Sequence, residues 1–125
     1  MLFVEEKDIE CSIISTIIFY GGFGEYNESL VSKIKSLDDK RFSKTISYVL
    51  RAIQSFLDKY KHLPSEVEIV AYMRINIAKT ATYEAIYNQL RECLEYSPCE
   101  LNTLSYLIEL KNNKFMKRIL GKKDG

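Results

Sequence analysis

The sequence predicts an all-α fold, a compact bundle of about six helices whose last and longest member is the first arm of a helical hairpin. Three observations carry this expectation. Five glycines and two prolines among 125 residues leave few turns, so the elements must be few and long. Apolar residues recur three and four positions apart along most of the chain, the period of an amphipathic helix, and no stretch shows the alternation of a half-buried strand. Hydrophobic residues make up 46% and charged residues 28%, a balance that supports a core without disulfides or metal.

Ile9, Ile13, Ile14, Ile17 and Ile18 predict a first helix over 8–20. The run Gly21-Gly22-Phe23-Gly24 ends it, with glycines expected in left-handed turn geometry. Tyr26, Leu30, Val31, Ile34 and Leu37 mark a second helix that stops near Asp38 and Asp39. The third is the clearest: Ile46, Val49, Leu50, Ile53, Phe56, Leu57 and Tyr60 form one wide stripe up to Lys61. Pro64 then forces its predecessor out of helical geometry, so the chain must break. Ser65 supplies an oxygen for the orphan amides of a fourth helix, and Glu68 completes a capping box. Val67, Val70, Ala71 and Met73 are the expected apolar face of that helix.

A looser segment, residues 74–81, leads to a fifth helix carrying Tyr83, Ile86, Tyr87, Leu90 and Leu94. Ser97-Pro98-Cys99-Glu100 reads as a second capping box, with proline at the first helical position. The helix after it is expected to run to about Leu120, with Leu101, Leu104, Ile108, Phe115 and Ile119 close to a seven-residue repeat. Its stripe passes over Lys111, a polar gap that a buried helix seldom tolerates. Leu101 and Leu104 are therefore expected to anchor the helix, while Ile108, Phe115 and Ile119 project toward another protomer or the second arm of the hairpin. The chain divides accordingly into a globular part, 1–98, and an oligomerisation arm, 99–125.

Charge and motifs exclude several functions. Net charge is +1, so no global field attracts nucleic acid. Lys111, Lys114, Lys117 and Arg118 make one local basic cluster, a candidate contact surface. The longest apolar run, residues 11–20, falls well short of the roughly 20 residues a bilayer demands. Glu5, Glu6, Asp8 and Glu10 stand where a signal peptide would be basic and then apolar. An odd number of cysteines, Cys11, Cys93 and Cys99, makes no paired framework and suits a reducing compartment. The expected location is cytoplasmic, in a bacterial cell or a phage-infected host.

The lone histidine, His62, has no metal-ligand or catalytic partners at suitable spacing and reads as structural. Residues 21–27 lack the third glycine of a dinucleotide loop, and the loop follows a helix rather than a strand. Residues 120–125 fail as a phosphate loop, because Met116 and Lys123 occupy the positions of its first glycine and its metal-binding hydroxyl. A helix-turn-helix at residues 58–73 would present Glu66 and Glu68 to DNA phosphates, so that break reads as a joint. Most of the nine tyrosines fall at core-facing spacings.

The order of these features resembles the N-terminal domain of DnaB-type hexameric replicative DNA helicases, and within that family the T-even phage enzymes most closely. Residues 9–19, 41–73, 90–98 and 100–120 carry the likeness. They give an opening helix, an aromatic-led helix from Phe42 running to a Leu-Pro elbow, and a hairpin that starts at Ser97-Pro98. The resemblance implies a non-catalytic collar that supports a hexameric ring and docks primase or a helicase loader in DNA replication. It implies no catalytic residue here, no cofactor in this chain and no strong nucleic-acid contact. ATP and magnesium would belong to a motor domain C-terminal to it, and the chain reads as an N-terminal fragment of an ATP-dependent helicase. Two other readings stand beside it: the helicase-binding domain of a primase, and a small helical DNA-binding regulator.

Overall fold

The computed structural model describes residues 5–25 and 27–113. It is all-helical, with α1 (Glu6–Gly22), α2 (Glu28–Lys35), a 3₁₀ turn (Asp39–Arg41), α3 (Lys44–Tyr60), α4 (Glu66–Asn76), α5 (Thr80–Cys93) and α6 (Leu101–Asn112). The expected six helices are present, and they share one core.

α1 is the centre of the molecule. It packs against α3, α4, α5 and α6, and Ile9 through Ile18 are all buried. The isoleucine stripe accounts for only half of this, because Glu10, Cys11, Ser12, Ser15 and Thr16 on the other faces are buried too. A helix covered all round must satisfy its polar side chains internally. Ser15 Oγ donates to the Tyr96 carbonyl at 2.6 Å. Thr16 Oγ1 donates to the Ser12 carbonyl at 2.6 Å and accepts from the Cys99 amide at 3.0 Å.

The elbow follows its sequence. Lys61 ends α3 in left-handed geometry, φ 67°. Leu63 and Pro64 are buried. Ser65 Oγ accepts from the Glu68 amide at 3.2 Å, and Glu68 Oε1 accepts from the Ser65 amide at 2.9 Å. His62 lies edge-on to Phe56, with ring centroids 5.3 Å apart. Ser65→Ala should therefore cost about 1 kcal/mol in urea denaturation. His62→Ala, which loses that edge contact, a 3.0 Å hydrogen bond between Nδ1 and the Leu63 carbonyl and a 3.8 Å approach to Glu68, all on a half-exposed ring, should cost less. A larger loss at His62 would give it a structural weight that its contacts do not show.

Several boundaries and faces differ from expectation. α1 continues through Gly22; of the glycines at its end, Gly24 alone takes positive φ, at 70°. α2 begins after Asn27, whose side chain caps the Leu30 amide at 3.0 Å, and Tyr26 lies outside the described residues. The core face of α4 is Ile69 and Met73, whereas Val67 and Ala71 face solvent. Of the described tyrosines only Tyr83 is buried; Tyr48, Tyr60 and Tyr106 are exposed. The second capping box does not form. α6 starts only at Leu101, with Glu100 at its N-cap position and no side-chain cap, so Ser97 and Pro98 lie before the helix; the Cys99 amide bonds to Thr16 Oγ1. α6 ends at Asn112, and Asn113 is extended rather than helical.

Candidate docking surface

The expected contact seam on α6 is mostly core. Leu104, Leu107 and Ile108 are buried in the same cluster as α1 and α3, and half-buried Leu101 packs against it. Ile108 therefore does not project toward another protomer. Residues 101–112 are part of the globular body, so the proposed arm does not begin at residue 99 within the described chain. Phe115, Ile119, Lys114, Lys117 and Arg118 lie outside the described residues.

Lys111 is not a surface cation either. It is 3% exposed, and its Nζ donates to Glu10 Oε2 at 2.8 Å with Glu6 Oε2 at 3.4 Å. The ammonium also lies 4.9 Å from the centroid of the Phe42 ring. Glu10, 2% exposed, turns its other oxygen to the Ser43 amide and hydroxyl, both at 3.0 Å. One buried carboxylate thus holds the entry of α3 and the end of α6 together. Arg41 donates to the Lys111 carbonyl at 3.1 Å and closes the last turn of α6. The polar gap in the α6 stripe is filled from inside the protein.

Three of the exposed apolar side chains, Phe19, Phe23 and Val67, gather elsewhere, where α1 ends against the elbow. A Cβ on Gly21 would lie 1.9 Å from the Pro64 carbonyl oxygen, so glycine alone lets the end of α1 meet the start of α4. That contact brings Val67, 78% exposed, beside Phe19, 43% exposed, in a cleft that Gly22, Leu94, Tyr96 and Pro98 complete. Phe23, 72% exposed, stacks edge-to-face on Phe19 at 5.0 Å. Phe19 and Pro98 also line a second cleft, with Ser12, Tyr20, Cys99 and Glu100. The hydroxyl of Ser12 there is buried and has no hydrogen-bond partner among the described residues.

Phe19 is thus a ridge between two clefts, and Glu66 and Glu100 stand at their edges. Large exposed aromatics grouped around concave surface suit a protein contact. No family model, curated protein or solved structure matches this chain. No cluster of histidine, cysteine and carboxylate residues among the described residues is arranged to hold a metal ion. No described helix is long and apolar enough to cross a membrane.

Sequence reasoning missed this surface because its residues are distant in the chain. Phe19 continues an apolar run and Val67 falls within a plausible helical face. Gly21 was the available signal, since a glycine inside a helix is either a cost or a place where another backbone passes.

Proposed function

We propose that this chain is the non-catalytic N-terminal collar domain of a hexameric replicative DNA helicase, which supports ring assembly and docks primase or a loader. Two things support the reading: the order of helices, elbow and terminal helix that resembles that family, and an all-helical body consistent with it. The observation that carries the docking role is the Phe19–Phe23–Val67 ridge with its two clefts. Its exposed aromatic and aliphatic side chains favour a partner segment that is apolar. ATP and magnesium have their place in the motor domain of the parent protein.

Phe23→Asp and Val67→Asp test this directly. Both side chains are largely exposed, so the melting temperature should hardly move. Binding of the 125-residue chain to the primase or loader of its own replication system, followed by calorimetry, should weaken about tenfold or more. Wild-type protein that binds neither partner would overturn the reading. Binding to a helicase ring would instead favour the primase helicase-binding domain, and salt-dependent binding to DNA a regulator.

A further inference from the structure

The sulfurs of Cys11 and Cys93 touch. Both residues are fully buried, one on α1 and one on α5, and their Sγ atoms lie 3.3 Å apart as free thiols. The Cys93 thiol donates to Cys11 Sγ. That hydrogen bond draws the Cys11 thiol below its ordinary range, and the same bond together with burial pushes Cys93 above its own. The hydrogen bond makes the two thiols unequal, with Cys93 donating and Cys11 accepting at a separation that already places sulfur against sulfur. Gln89, one helical turn before Cys93, also reaches its sulfur at 3.9 Å. Cys99 is apart from the pair, half-buried and 3.3 Å from Thr16 Oγ1.

We propose that Cys11 and Cys93 form a peroxide-oxidisable dithiol site that closes into a single intramolecular disulfide between α1 and α5. Cys11 thiolate attacks one oxygen of hydrogen peroxide; the O–O bond breaks, hydroxide leaves, and Cys11 becomes a sulfenic acid. Cys93 sulfur, losing its proton, then attacks Cys11 sulfur. The S–S bond forms as the S–O bond breaks, and the departing hydroxide takes the proton as water. Two thiols and one peroxide give one disulfide and two waters. The sulfurs need approach by only a little over 1 Å to reach the roughly 2 Å of a disulfide, so the helices need not be re-paired. Both thiols are fully buried, so peroxide needs a local opening between α1 and α5 to reach them. The bond ties residues 82 apart in sequence, a long loop whose closure restricts the unfolded chain strongly.

The test uses the 125-residue chain, oxidised with hydrogen peroxide under native conditions, then alkylated, digested and analysed by mass spectrometry. The expected product has two hydrogens fewer, a peptide joining Cys11 to Cys93, and Cys99 alkylated. Its melting temperature should rise by several degrees or more and return on treatment with dithiothreitol. Cys99→Ser should leave the cross-link intact, and Cys93→Ala should abolish both cross-link and rise. A cross-link through Cys99, or oxidation of Cys11 to sulfinic acid without joining Cys93, would overturn the proposal. Should Cys93→Ala fail to fold, the Cys99→Ser arm and the peptide map still decide it.

Discussion

Gly21→Ala is expected to destabilise the protein by roughly 3 kcal/mol or more. The added Cβ would sit 1.9 Å from the Pro64 oxygen and 2.3 Å from its carbonyl carbon. Both are backbone atoms, so no side chain can swing away; α1 and the elbow must move apart. The elbow holds Leu63 and Pro64 in the core, and their displacement opens a gap there. Gly22→Ala is the matched control, because nothing lies within 4 Å of its Cβ. Alanine also favours helix more than glycine does, so that variant should be unchanged or slightly more stable. Thermal melts of the pair, with about 10 °C or more lost for the first alone, would establish the contact. Equal behaviour of the two variants would show that the elbow does not press on α1.

Lys111→Met is expected to cost about 3–5 kcal/mol, the loss typical when one member of a buried ion pair is removed. The substitution leaves the Glu10 carboxylate in the core with Ser43 as its remaining close donor. Replacing both residues, Glu10→Gln with Lys111→Met, removes the stranded charge and keeps an acceptor for Ser43. The double variant should recover a large part of the loss. A cycle of urea denaturations on the four proteins measures the coupling directly. Additive single effects would mean that the two side chains do not act as a pair.

Helix number, order and most of the core stripes were legible because they depend on local period. Ile46 through Leu57 on α3 needed no partner to be read, and Ser65 with Glu68 needed only each other. What failed depends on contacts across the fold. Lys111 looked like a break in an apolar stripe because Glu10, its partner, is 101 residues away. Ser97 and Glu100 have the spacing of a capping box, yet the helix begins only at Leu101, with Glu100 at its N-cap. Ile69, at the centre of the α4 face, was passed over for Val67, since a short helix with apolar residues on several sides does not declare which side is inward. The docking ridge depends on the same long-range placement, with Phe19 and Val67 brought together only by the Gly21 contact. The resemblance to a helicase collar draws on the local features, which is why it could be stated before any contact was known.

The arrangement around α1 also bears on how the protein comes off the ribosome. The helix at the middle of the fold is synthesised before the other described helices, and much of what encloses it comes many residues later. Its links to Glu92, Tyr96, Cys99 and Lys111 span 81 to 105 residues of chain. During elongation the isoleucines of α1 have α3 and α4 to rest on, but its other faces, Glu10 and Cys11 among them, await α5 and α6. An emerging chain that has reached the elbow can assemble only part of the core and must hold an incompletely covered apolar helix until the remainder is made. Such long loops close slowly. The interval between making α1 and enclosing it is when a nascent chain would most need shielding from its neighbours.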